Sequence, residues 1–295
     1  MKKTIASLIL SELANDRRII AADWRLYLLY LRVARAHGFR LPDPSSASAL
    51  IRRMESNDEI EEIGDVHGIY KVMVPYASSI PTPDEAIVQE ANPTAVFNNF
   101  TAIAHHGLTN ELPPAIYASH ASRAPERYPL GTTPDDWSDV HAPPRRTPSK
   151  IGDREVIWSH LKPEWDFGHK VEYVSGVPIY VTDLERTLLD ALRFPEKCGG
   201  ILEVLRVWKR GLEDANLDRL IQYAEKIDQA LLRQRAGFVI EMLGRRHDNL
   251  DEWAKKTHRG SSSKLVASEK FMPTFSERWS LSINVPESVL SALRE

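Results

Sequence analysis

Residues 2–75 constrain the fold more than any other part of the chain, because the apolar pattern there changes period. Ile5, Leu8, Ile9 and Leu13 recur at helical spacing. A second stretch, residues 22–36, carries Trp24, Leu28, Leu31 and Arg35 at similar spacing and closes at Gly38, a C-cap glycine. After the turn Leu41-Pro42-Asp43-Pro44, a third helix is predicted with Ser45 or Ser46 as N-cap and Ala47, Leu50, Ile51 and Met54 on one face. Residues 59–63 and 69–74 then read as two strands joined by a hairpin loop at 64–68. Three helices followed by a hairpin is the order of a winged helix-turn-helix.

The rest of the chain is long enough for a second domain, since 295 residues exceed the ~100–200 of one domain. Ser78-Ser79-Ile80-Pro81-Thr82-Pro83 has the composition of a linker. The expected division is residues 1–77, a linker at 78–84, and residues 85–295. A helix is predicted after Asn92-Pro93-Thr94 up to His106, ended by Gly107. Residues 119–150 hold six prolines and read as loop-rich. Residues 155–160, 171–174 and 177–181 read as strands. Thr182-Asp183-Leu184-Glu185 reads as a capping box, with Thr182 as N-cap. Its helix stops at Pro195, and further helices follow: 201–210 closed by Gly211, one capped by Asn216, and one ended by Gly244. A strand is expected at 279–284. The fold class is α+β: a winged helix-turn-helix followed by a mixed, helix-rich domain.

Composition removes several function classes. The net charge is −3, so no global positive field draws the chain to nucleic acid or membrane. Contact with nucleic acid requires a local patch. The single cysteine, Cys198, excludes an internal disulfide and any multi-cysteine zinc site, and fits a reducing compartment. The apolar start at Ile5 is broken by Ser11, Glu12, Asn15 and Asp16, too early for a signal peptide, and no apolar run approaches ~20 residues. The expectation is a soluble cytoplasmic protein that does not engage membranes.

The outward face of the third helix presents Ser45, Ser48, Ala49, Arg52 and Ser56, with Arg53 at its flank. Small hydroxyl residues allow close approach to a phosphate backbone, and arginine forks to guanine or grips phosphate. His67 in the hairpin loop and Lys71 on the strand are candidate wing contacts. A winged helix that binds protein would present a solvated face of the same kind. The local balance is 11 Lys or Arg against 10 Asp or Glu over residues 1–75. A second basic stretch, residues 226–270, carries 10 against 6 and includes Arg233, Arg235, Arg245 and Arg246. It suits nucleic acid, an acidic partner, or plain solvation.

Other constellations reduce to structure. Asp183, Glu185 and Asp190 are explained by a capped helix start rather than a metal site. Gly199-Gly200 lacks any phosphate-loop context. Adjacent His105 and His106 point about 100° apart on a helix and do not chelate one metal. No catalytic residue, cofactor or metal is assigned. Leu184, Leu188 and Leu192 share one helix face, which leaves Arg186 off it. Arg186 is then either a cation for a partner or a salt bridge within the domain.

Several segments together resemble the AbiEi antitoxin family of type IV toxin–antitoxin systems. The strongest is Val181-Thr182-Asp183-Leu184-Glu185-Arg186-Thr187-Leu188-Leu189-Asp190-Ala191-Leu192 with Pro195 and Cys198-Gly199-Gly200. Asn92 to Phe97, Ala102 to Thr109 with Leu112-Pro113, Gln234 to Gly244, and Arg278 to Asn284 are similar to the family's other motifs. The likeness spans about residues 90–285 in order. It implies a DNA-binding N-terminal domain, operator DNA with inverted repeats in the chain's own promoter, and autorepression. It also implies a C-terminal antitoxin domain that counters a nucleotidyltransferase-like toxin without a stable complex, in abortive-infection phage defence. Arg186, Arg233, Arg235, Arg245 and Arg246 are the candidate antitoxin residues. The rival reading is a stand-alone winged-helix transcription factor whose C-terminal domain senses a ligand or protein. An enzyme would need a convergent acidic or histidine site, which the pattern does not supply.

Overall fold

A computed structural model describes residues 4–64, 66–121, 128–138, 140, 145–257 and 263–294. The chain opens with α1 (Ile5–Asn15), β1 (Ile20–Ala22), α2 (Asp23–His37), α3 (Pro44–Ser56), β2 (Ile60–Glu62) and β3 (Ile69–Val72). The three strands form one antiparallel sheet in the order β1-β3-β2. Next come α4 (Pro75–Ser78), α5 (Asp84–Ala91), β4 (Val96–Phe97), α6 (Asn99–His105), β5 (Ala115–Ala121), β6 (Lys150–Ile151), β7 (Arg154–Leu161), β8 (His169–Val174) and β9 (Val177–Thr182). A second sheet has the order β6-β7-β5-β4-β9-β8, with β5 and β7 parallel over seven residues. The C-terminal part is α7 (Leu184–Arg193), α8 (Ile201–Asp214), α9 (Leu217–Ile227), α10 (Ala230–Met242), α11 (Asn249–Lys255), β10 (Phe275–Ser276), β11 (Leu281–Ser282) and α12 (Glu287–Arg294).

The chain divides into two compact units. The first is Met1–Val96, Pro114–Pro163 and Val171–Tyr180; the second is Phe97–Pro113, Glu164–Lys170 and Val181–Glu295. The first therefore takes in more than residues 1–77. Within it α5 packs on β1 and β3, and Glu90 of α5 is buried against Arg25 of α2, with Nη2 to Oε2 at 2.9 Å. Arg18 stands 4.0 Å from the same carboxylate and donates to the Leu130 carbonyl at 2.9 Å. The Ala22 N–H also donates to the Glu90 carboxylate, at 3.0 Å, and the Trp24 indole donates to the Glu90 backbone carbonyl, at 3.1 Å. Burial alone would raise the Glu90 carboxyl; the charge and hydrogen bond of Arg25, with Arg18 and the Ala22 amide, hold it below the ordinary range. Burial, then the neighbouring Arg25 charge, lowers Arg18 to about 10.

Of the stretch 119–150, residues 119–121 finish β5 and Pro134–Trp137 forms a short 3-10 turn. That turn sets the Trp137 ring 6.0 Å from Trp24 and Asp136 3.0 Å from Arg32. Residues 122–127, 139 and 141–144, part of the predicted loop, lie outside the described residues.

In the second unit α7 is buried almost all round, packed by α6, α8, α9 and α10. One apolar face was expected; the other faces are covered as well, so their charged side chains are paired inside. Gly211 does not end its helix. α8 runs on to Asp214, and a Cβ at Gly211 would come 2.9 Å from Leu188, so the missing side chain serves close helix packing. Gly237, inside α10, has the same role against the buried Trp279. A Cβ there would lie 2.6 Å from Cζ2 of the indole and closer to Cη2. We expect Gly237→Ala to lower stability by about 1–2 kcal/mol, because an overlap this close puts the overpacking cost in the upper part of ~1–3 kcal/mol, and the gain in helix propensity returns only ~1 kcal/mol. Thermal melting checks this, and an equal or higher melting temperature would show that the ring yields.

Candidate nucleic-acid interface

α3 is capped two to three residues earlier than the serines suggest. Asp43 is the N-cap: its carboxylate accepts the Ser46 N–H at 2.8 Å, and the Ser46 hydroxyl accepts the Asp43 N–H at 3.0 Å. Pro44 occupies the first helical position, where its missing N–H costs nothing. This corrects the expectation of Ser45 or Ser46 as cap. The Ser45 hydroxyl and Ser46 amide hold the Asp43 carboxyl below its usual range.

The apolar stripe of α3 turns inward through Ala47 and Met54, with Leu50 and Ile51 half-buried. Ser45, Ser48, Ala49, Arg52, Arg53 and Ser56 are all exposed. The Ser45 hydroxyl donates to Asp43 at 2.7 Å and that of Ser48 to the Pro44 carbonyl at 2.9 Å. Among the described residues the guanidinium groups of Arg52 and Arg53 have no hydrogen-bond or ion-pair partner. Arg40 is a further exposed cation near α3 that the helix pattern did not single out. It is exposed in the turn between α2 and α3, beside Phe39 and Leu41, which are 40% and 53% exposed. The positions just before a predicted recognition helix were the available signal.

The hairpin differs from a cationic wing. His67 is exposed, but its Nδ1 lies 2.7 Å from Glu62, whose carboxylate also accepts the Gly68 N–H at 2.7 Å. Lys71 is half-buried on β3, the central strand, opposite Ile20 and Glu61 rather than at the hairpin tip. Glu61 and Glu62 are exposed, so carboxylates face solvent along the hairpin. Asp65 lies outside the described residues.

In the second unit the candidate cations separate. Arg186 is 2% exposed. Its Nε donates to Asp190 at 3.0 Å, and its Nη1 donates to the Trp165 and Phe167 carbonyls at 2.9 and 3.2 Å. The guanidinium lies 4.7 Å from the Phe167 ring centroid. Of the two readings of Arg186, the geometry shows the salt bridge within the domain. Arg235 is buried too, donating to the Lys264 carbonyl and to the Leu192 carbonyl at the end of α7, where a cation complements the helix dipole. Arg233 pairs with Asp228 at 2.9 Å. Arg245 and Arg246 remain exposed, and line a cavity of about 500 Å³ with Glu241, His247, Asp251 and Arg278.

The expected capping box at Thr182 is also corrected. Asp183 is the N-cap of α7, accepting the Arg186 N–H at 2.9 Å and the Tyr223 hydroxyl at 2.8 Å. The Thr182 hydroxyl meets Thr187 at 2.8 Å. Glu185 turns away and accepts the Asn216 N–H at 2.7 Å, with Arg219 at 3.6 Å. Asp190 is held between Arg186 and Arg193, the latter at 3.1 Å. Burial pushes the Cys198 thiol up, so it is no nucleophile near neutral pH. His106 Nε2 lies 2.8 Å from the Thr182 carbonyl, a structural contact.

No family model and no curated protein matches the sequence. Among solved structures, the chain is similar to the RV2827C protein from Mycobacterium tuberculosis. The TM-score is 0.54 at 15% identity, over 99% of this chain and 96% of that one. At this identity the likeness shows a shared fold, consistent with an α+β class. No helix among the described residues is long and apolar enough to cross a membrane.

Proposed function

We propose that the protein is a DNA-binding autorepressor that reads its operator with α3, and that its helix-rich part is an AbiEi-type antitoxin. The observation that carries the DNA reading is the outward face of α3, where Arg52 and Arg53 are exposed without internal partners beside Ser45, Ser48 and Ala49. The element order α1-β1-α2-α3-β2-β3 with sheet order β1-β3-β2 supports a winged helix-turn-helix, in which the third helix enters the major groove. The acidic hairpin argues that α3 and Arg40, rather than the wing, grip the DNA, because carboxylates repel phosphate. The antitoxin reading is supported by the resemblance of residues 181–200 and the segments around it. Its functional partner is a nucleotidyltransferase-like toxin in an abortive-infection phage-defence system, countered without a stable complex.

The test is binding to the chain's own upstream DNA at fixed salt. A good arginine–base contact is worth ~1–3 kcal/mol. Arg52→Ala/Arg53→Ala should therefore bind at least about tenfold more weakly with an unchanged melting temperature. Equal affinity would remove α3 from the interface. Co-expression with an adjacent toxin gene, read as growth, tests the second half. The cavity beside Arg245 and Arg246 favours a second reading, a transcription factor whose C-terminal part senses a small ligand. Repression without rescue of growth would select it.

A further inference from the structure

The two edges of the six-stranded sheet are unlike. β6, at one end, is two residues long, whereas β8, at the other, runs for six without a proline or a glycine. An edge strand offers a row of main-chain N–H and C=O groups to any strand that pairs with it, and short length, proline or a bulge ordinarily closes such a row. β8 has none of these. Its Val171 and Tyr173, alternate positions on one face, are 43% and 66% exposed.

The hairpin with β9 fixes which main-chain groups face outward. Ser175 and Gly176 take positive φ, 48° and 81°, in the two-residue turn that joins the strands. Such a turn makes Val174 and Val177 a hydrogen-bonded pair, and bonded pairs then alternate with non-bonded ones along the ladder. Glu172 and Lys170 therefore bond to β9, and Tyr173 and Val171 do not. Two contacts agree with this register. The Asp183 N–H donates to the Gly168 carbonyl at 2.9 Å, which continues the bonded set. The Tyr180 N–H, opposite Val171, turns away from β8 and donates to Gln89 Oε1 at 2.7 Å. Pro178, with no N–H to give, stands opposite Tyr173. The N–H and C=O of Val171 and Tyr173 thus point off the sheet edge, where the described residues place no further strand.

We propose that β8 pairs antiparallel with β8 of a second copy of this chain, about a two-fold axis at Val171. Charge complementarity selects both the occupant and the register. A two-fold centred on Lys170 sets lysine opposite lysine, and one centred on Glu172 sets glutamate opposite glutamate. One centred on Tyr173 sets Glu172 opposite Val174 and runs Val171 into the turn. The register centred on Val171 sets Lys170 opposite Glu172 on both sides of the axis. It also brings outward-facing main-chain groups to outward-facing groups, with Val171 opposite Val171 and His169 opposite Tyr173. The Lys170–Glu172 pairs then occupy the non-hydrogen-bonded sites, where side chains approach most closely. A strand that complements itself in charge, hydrogen bonding and apolar contact forms an isologous two-fold interface. The pairing does not depend on α3 or on the operator reading above.

One strand pair is a small interface with an expected Kd of about 1–100 µM, so sedimentation equilibrium of the full chain across about 1–200 µM reads it. Lys170→Glu alone or Glu172→Lys alone sets like charges opposite one another and should weaken the dimer at least about tenfold. Mixed in equal amounts, the two variants should pair with each other, because every charge then meets its opposite. Lys170→Glu/Glu172→Lys in one chain should dimerise like the parent. Val171→Cys should give a disulfide-linked dimer on mild oxidation, since hydrogen-bonded partners have Cα atoms about 5.5 Å apart, within disulfide reach. Tyr173→Cys, opposite His169, should not, and the native Cys198 is buried. A monomer throughout the range overturns the proposal. A dimer that both single reversals leave unchanged places the contact elsewhere and also overturns it. So does failure of the mixture and of the double reversal to pair when the variants melt like the parent. If a reversal unfolds the chain, the two cysteine variants decide: cross-linking at Val171→Cys alone supports the pairing, and equal or absent cross-linking overturns it.

Discussion

Glu90→Gln lowers the melting temperature by about 10 °C, the largest single effect expected in this protein. The substitution keeps the shape and removes the charge that Arg25 and Arg18 share. Both guanidinium groups are buried, with side chains 6% exposed, so no solvent replaces the lost partner. Removing one member of a buried ion pair costs ~3–5 kcal/mol, against ~5–15 kcal/mol for a whole native state. For a chain of this size each kcal/mol moves the melting temperature by about 2–4 °C. The cause is the stranded charge, so adding Arg25→Met should recover part of the loss. A shift of 1–2 °C in calorimetry would show that the cluster is hydrated or rearranges. The pH dependence has a definite sign. The folded carboxyl lies below its ordinary value of 4.5. Its contribution is complete above that value and disappears as pH falls through the folded one. The gap between parent and variant is therefore constant from pH 8 to about 5 and narrows only in stronger acid.

Arg186→Ala is expected to cost about 3 kcal/mol. It removes a buried ion pair, two hydrogen bonds to the Trp165 and Phe167 carbonyls, and the stacking on Phe167. The loss stays below that of Glu90→Gln because Arg193 still neutralises Asp190. Lys226, 4.1 Å from the Phe167 centroid, also remains on the ring. The segment Glu164–Lys170 should loosen, visible as faster proteolysis there. Arg186→Lys should fall between the two, since one ammonium does not match the forked geometry. If toxin antagonism exists, its loss in Arg186→Ala comes with this destabilisation. Loss at an unchanged melting temperature would return Arg186 to a direct role.

The sequence by itself determined the elements whose causes are local. α1, α2 and α3 follow from apolar spacing within one or two turns, Gly38 closes α2 in the left-handed region at φ 67°, and Asn216 caps α9. The exposed face of α3 follows from the same stripe, which is why Ser45, Ser48, Arg52 and Arg53 were legible. Elements defined by a distant partner were not. β1 is three buried residues without alternation and exists through its pairing with β3, some fifty positions away. β5 is an alanine-rich run stabilised by a parallel partner at 154–161. The Arg25–Glu90 contact spans 65 positions and leaves no local trace. Arg186 is the instructive case. Its partner Asp190 is one helical turn away, so the pair could be read from spacing, but spacing describes only one helix. Whether that pair faces water or the interior was decided by α6, α8, α9 and α10 closing around α7, because burial is a property of everything packed against a side chain.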